Sequence, residues 1–191
     1  MPWAEALLAE AGVAKSALDV IAVGRGPGAF TGVRLAIAIA QGIALALDRP
    51  VVPVSTLAAL ALQARGPRVL AAIDARMGEV YAGAFRCEGD DIVALDAERV
   101  VAPGNVALPD DANDWVGVGT GFAAVEGALQ ASLAPRFTRI DATALPHAAD
   151  IARLAVHAFG RGEAVAPERA EPAYLRDNVA LTLAEQQARK R

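Results

Sequence analysis

The stretch Gly24-Arg25-Gly26-Pro27-Gly28-Ala29-Phe30-Thr31-Gly32 stands between the apolar run Val20-Ile21-Ala22-Val23 and a long apolar segment of helical period. A strand must therefore turn over glycines straight into a helix, which restricts the chain to an α/β arrangement. Glycine reaches backbone angles that a Cβ opposes, and Pro27 fixes its own φ, so the loop has a defined shape. Gly24, Gly26, Pro27, Gly28 and Gly32 are read as structural loop residues.

Spacing separates the ligand readings of this loop. A Walker-type phosphate loop needs Lys and then Ser or Thr after its last glycine, and Phe30-Thr31 stands there instead. Gly24, Gly26 and Ala29 satisfy the looser G-x-G-x-x-A dinucleotide pattern, but the next strand, Val51-Val52-Pro53-Val54-Ser55, ends without the acid that would bind the ribose. A tight connection that holds no ligand stays open beside them.

Periodicity predicts helices over 3–12, 31–47 and 56–64, the last capped by Thr56, and strands over 20–23 and 51–54. After Arg65-Gly66-Pro67 the texture changes to strands over 69–74, 79–86 and 92–95 joined by Gly-bearing turns, an antiparallel meander that opens a second lobe. Trp115-Val116-Gly117-Val118-Gly119-Thr120-Gly121 then leads into a helical pattern over 122–133, a second use of the strand-to-glycine-to-helix device.

A chain of 191 residues can bury about 70% of its unfolded surface, enough for one domain or two small lobes. The lone cysteine, Cys87, has no intrachain partner and suits a reducing compartment. The first dozen residues carry Glu5 and Glu10 and no Lys or Arg, unlike a secretory signal, so the cytoplasm is the expected location. A net charge of −4 opposes tight unaided binding to RNA. Arg189-Lys190-Arg191 is a basic cluster that reads as a solvated tail.

Groups suited to catalysis are few. His147 and His157 stand ten positions apart with no carboxylate or second histidine at ligand spacing, and no metal site is expected. Thr56 reads as a helix cap rather than a nucleophile. Function then falls to surface, and the helix over 31–47 is the candidate. Arg34 and Gln41, seven apart, define a stripe with Ile37, Ala38 and Leu45, too apolar for solvent and therefore expected to meet another helix. Ala36, Ile39, Ile43, Ala46 and Leu47 fall opposite and are expected to pack on the sheet. A membrane span is not expected, because the helix is about 26 Å long and carries Arg34. Arg25 and Arg34 flank the helix start, where the dipole disfavours cations, so an anion is expected opposite them.

The run Val23 to Arg34, with Ala40-Gln41-Gly42, Pro50-Val51-Val52, Val54 to Leu60, Asp74 to Tyr81 and Tyr174-Leu175-Arg176, resembles the TsaB (YeaZ) family, and these matches span most of the chain. The resemblance implies an actin-like ATPase (ribonuclease H-like) α/β fold of two lobes. These would be 1–66 joined by 167–191, and 67–166. It also implies strands with an Asp-Thr-Ser-like turn ahead of the first helix. No counterpart stands before Met1, so the first lobe reads as truncated, with an exposed strand that favours self-association.

The resemblance further implies a noncatalytic subunit, with no cofactor, of the complex that installs threonylcarbamoyl on the adenosine 3′ of the anticodon in tRNA. Its partners would be the catalytic paralogue TsaD, the ATPase TsaE and, as a homodimer, a second copy, with tRNA touched only indirectly. The first two helices would make the pairing, with Trp3 and Leu7 as anchors, and Ile37→Asp is expected to abolish it. In that fold Asp74 ends the strand of a phosphate hairpin, but Arg76 and Met77 occupy the turn where small residues are wanted, which argues against nucleotide. The competing reading is an ATP-dependent enzyme or a glycoprotease-like hydrolase of the same fold.

Overall fold

The computed structural model describes residues 2–176, so the basic cluster at 189–191 and most of the segment 167–191 lie outside the described residues. Helix α1 (Pro2–Ala11) leads through a short turn to strand β1 (Ile21–Gly24). Helix α2 (Phe30–Leu47) returns the chain to β2 (Val51–Val54), which pairs parallel to β1, Ile21 against Val51 through Gly24 against Val54. Helix α3 (Thr56–Ala64) then crosses to the second sheet.

That second sheet holds β3 (Val69–Arg76), β4 (Glu79–Glu88), β5 (Asp91–Ala94), β6 (Arg99–Val101), β7 (Trp115–Val118) and β8 (Phe137–Asp141). Its order is β5-β4-β3-β7-β8, with β6 on the same edge of β4 as β5. The expected meander is present, and β7 and β8 extend it in parallel. The helix expected over 122–133 is broken into turns and the short α4 (Ala128–Leu133), because Glu126 and Gly127 take left-handed angles. Helix α5 (Ala148–Gly160) follows.

Two helices fuse the sheets. α3 buries seven of its nine residues, Leu57, Ala58, Ala59, Leu60, Ala61, Leu62 and Ala64, and full burial of each leucine contributes about 2 kcal/mol. One core joins α3 to Val52 and Val54 of the first sheet, to Val69, Ala71 and Val116 of the second, and to Leu154 and Ala158 of α5. The cap of α3 is Ser55, not the expected Thr56: its Oγ accepts from the amides of Leu57 (3.1 Å) and Ala58 (3.2 Å) while donating to Glu98. Thr56 is already the first helical residue.

A smaller core gathers Val23, Ile37, Ala40, Ala44, Val51 and Ala170. The far edge of β1 has no partner strand among the described residues, and α1 buries none of its own described residues.

Candidate functional site

The face that α2 turns outward differs from the expected one by roughly a quarter turn. Ile37 is only 4% exposed, packed with Val23 and Val51 against the sheet, so it is corrected from an interface residue to a core residue. Ala36, Ile39 and Ala46, expected on the sheet, are exposed, while Ile43 and Leu47 are half-buried. The outward stripe is Leu35, Ala38, Ile39, Gly42, Leu45 and Ala46, with Leu35 58% and Leu45 63% exposed.

The cause lies in the two polar residues. Gln41 Nε2 donates to the Ala170 carbonyl at 3.2 Å, and Arg34 Nη2 donates to the Tyr174 hydroxyl at 2.8 Å. Both side chains serve the extended segment beside the helix, which leaves the exposed side apolar from Leu35 to Ala46. By length and composition alone α2 is apolar enough to cross a membrane, yet its inner side is packed on β1 and the 170 segment.

Trp3 (88% exposed) and Leu7 of α1 add further uncovered apolar surface near the front of the chain. Of the sequence-derived interface set, Trp3, Leu7, Ala38 and Leu45 are exposed, Arg34 and Gln41 half-buried, and Ile37 buried.

In the glycine loop, only Gly26 takes an angle that requires glycine, φ +94°. A Cβ on Gly24, Gly28 or Gly32 would meet nothing closer than ordinary or slightly tight contact, so conformation does not demand glycine at those three. The loop is pinned by Arg25 N–H donating to the Val54 carbonyl and Thr56 N–H donating to the Gly26 carbonyl, each at 2.8 Å. The stricter demand falls on the second device: Gly119 has φ +107°, and its Cβ and that of Gly121 would collide with Ala72.

A cleft of about 740 Å³ opens between the α2 N-terminus and the second sheet, lined among others by Arg34, Asp74, Arg76, Thr120, Tyr174 and Arg176. Asp74 does not face it as a free acid. Its Oδ1 accepts from the Arg76 amide at 2.7 Å and its Oδ2 from the Arg76 guanidinium at 3.1 Å. That contact supports the β3–β4 turn, where Arg76 (φ +61°) and Met77 (φ +57°) both take the left-handed conformation.

In place of the expected anion, Arg34 has the Phe30 ring 3.3 Å from its guanidinium carbon and the Tyr174 hydroxyl. No group of three or more His, Cys, Asp or Glu gathers at metal-binding distance among the described residues. His147 precedes α5 and His157 lies in its last turn. Burial pushes the Cys87 thiol up, away from the reactive thiolate.

Two α/β units, one built on a meander, bridged by helices and facing each other across a cleft, define an actin-like, ribonuclease H-like protein. Over residues 1–183 the sequence matches the family described as "TsaD: tRNA N6-adenosine threonylcarbamoyltransferase". It is 40% identical over 188 residues to the Escherichia coli K12 tRNA threonylcarbamoyladenosine biosynthesis protein TsaB, covering 94% of this chain and 80% of that one. It superposes on YeaZ from Pseudomonas aeruginosa with a TM-score of 0.82 at 49% identity, covering 91% of this chain and 81% of that one. A second Pseudomonas aeruginosa structure, described as an uncharacterized protein with similarity to peptidase YeaZ, gives 0.84 at 50% identity, covering 92% and 82%. The chain belongs to the TsaB (YeaZ) family.

Sequence reasoning gave Leu35 no place, set Ile39 on the sheet side of α2 and met Tyr174 only through the family resemblance. Counting back from Leu45 by helical steps reaches Ile39, Leu35 and the small residues between them, a signal hidden by the assumption that polar residues mark the outward face.

Proposed function

We propose that this chain is a noncatalytic subunit of the cytoplasmic apparatus that makes threonylcarbamoyladenosine in tRNA, and that it acts by docking on a TsaD-like catalytic subunit. The observation that carries the reading is the uncovered stripe Leu35, Ala38, Ile39, Gly42, Leu45 and Ala46. Large side chains at its ends supply anchors, and small ones between them let a second helix approach closely. Trp3 and Leu7 extend the same apolar character onto α1. A TsaE-like ATPase would join through the assembled pair, and tRNA would be held by the partners, in keeping with this chain's net charge of −4.

The test is a double variant, Leu35→Glu with Leu45→Lys, at two exposed positions that leave the packed side of α2 untouched. The wild-type chain is expected to co-elute with the TsaD-like subunit and to support threonylcarbamoyladenosine formation in the reconstituted system. The variant is expected to do neither while melting at the wild-type temperature. Co-elution that survives both charges overturns the reading. Loss of a homodimer without loss of the mixed complex assigns the face to self-pairing instead.

A further inference from the structure

The segment 170–176 runs along α2 and across the mouth of the cleft, bonded to both sides. On the first side, Gln41 holds the Ala170 carbonyl, the Ala173 amide donates to the Arg25 carbonyl at 2.8 Å, and Arg34 holds the Tyr174 hydroxyl. On the second side, Arg176 Nη2 donates to the Ala75 carbonyl at 3.1 Å and to Glu79 Oε2 at 2.6 Å. Its side chain is mostly buried, and the Nε is sealed from solvent with no partner among the described residues. A guanidinium placed there at the cost of an unmatched donor is held by its other contacts.

We propose that this segment is a tie that couples the β3–β4 hairpin to α2, with Arg176 as its positioning residue. The N-terminal half of α2 and the strained turn at Arg76 and Met77 then loosen together or not at all. The hairpin turn is the natural load: two left-handed non-glycine residues persist only where neighbours over-determine them. Asp74 secures that turn from within and Arg176 from across the cleft. The mechanical part stands on the geometry alone. Its effect on partner binding rests on the docking reading of α2.

Hydrogen exchange on the full chain tests it, using Arg176→Ala, Arg176→Lys and Tyr174→Phe. Arg176→Ala is expected to speed amide exchange several-fold both in 74–80 and in 30–37, with β7 and β8 unchanged. The lysine, able to reach one acceptor at a time, should fall between, and Tyr174→Phe should loosen 30–37 and 74–80 together without unfolding the chain. Faster exchange confined to 74–80 overturns the proposal, since Arg176 would then be a staple on its own hairpin.

Affinity for the TsaD-like subunit, measured by calorimetry, is expected to fall about tenfold in Arg176→Ala, a typical coupling between linked sites. Unchanged affinity with a loosened α2 overturns the link to docking. If the wild-type chain does not bind that subunit at all, the docking reading fails, and exchange in 30–37 alone decides whether the tie exists.

Discussion

The backbone of Gly121 passes so close to Ala72 that a Cβ at position 121 would fall 2.7 Å from the Ala72 Cβ and 2.8 Å from its carbonyl carbon. Ala72 is itself fully buried in β3, so neither chain can step aside without moving the sheet. Gly121→Ala is therefore expected to destabilise the protein by about 1–3 kcal/mol, the cost of overpacking a filled core. A urea melt checks this. A variant midpoint equal to wild type would show that the β7 end of the sheet can slide.

Ile37 is buried against the sheet while Leu45, two turns further along the same helix, is exposed, and their substitutions should separate. Ile37→Asp places a carboxylate among Val23, Ala44 and Val51 and should cost at least about 3 kcal/mol. Leu45→Ala, on the exposed face, should stay within about 0.5 kcal/mol. Paired denaturant curves compare them, and equal losses would place Leu45 in contacts absent here.

Acid should weaken one corner in a way that Arg68 controls. The hydrogen bond from Arg68 to Asp110, at 2.7 Å, holds the Asp110 carboxyl below its ordinary value, assisted by the Ala112 amide and the Trp115 indole N–H at 3.1 Å. A depressed native carboxylate contributes stability that is fully present above the unfolded value of about 3.9. That contribution is lost as pH falls through the lower native value. Arg68→Gln should thus narrow the drop in Tm between pH 6 and pH 3 relative to wild type. Parallel Tm profiles would show that the ion pair is fully screened.

Met77, exposed at the β3–β4 turn with φ +57°, carries a strain that glycine would not. Met77→Gly should relieve about 1 kcal/mol, raising Tm by about 2–4 °C for a chain of this size. Calorimetry reads the shift. A lower Tm would mean that the contact between Met77 Sδ and the Arg176 guanidinium, at 3.5 Å, outweighs the backbone strain.

The element order was legible because period and glycine placement are local signals: β1, α2, β2 and the meander of β3, β4 and β5 all fall within a few residues of where alternation and turns put them. The facing of α2 was not legible. It depends on where the 170 segment lies, more than a hundred residues away in sequence, and that segment, not solvent, takes up the polar atoms of Arg34 and Gln41. The same holds for Ser55 over Thr56, since the last residue to keep the extended conformation takes the cap. Gly119 and Gly121 were visible as a pattern, but only the approach of Ala72 shows why they must be glycine.

Helix α3 presses on strands from both sheets and on α5, with hardly any of its surface left to water. Neither half of the polypeptide owns it. Severing the chain near Gly66 would strip one fragment of its keel and leave the other with an oily rod and nothing to cover it, so the halves are expected to survive only when made together. A substitution in this inner helix must be matched at once by both sheets and by α5.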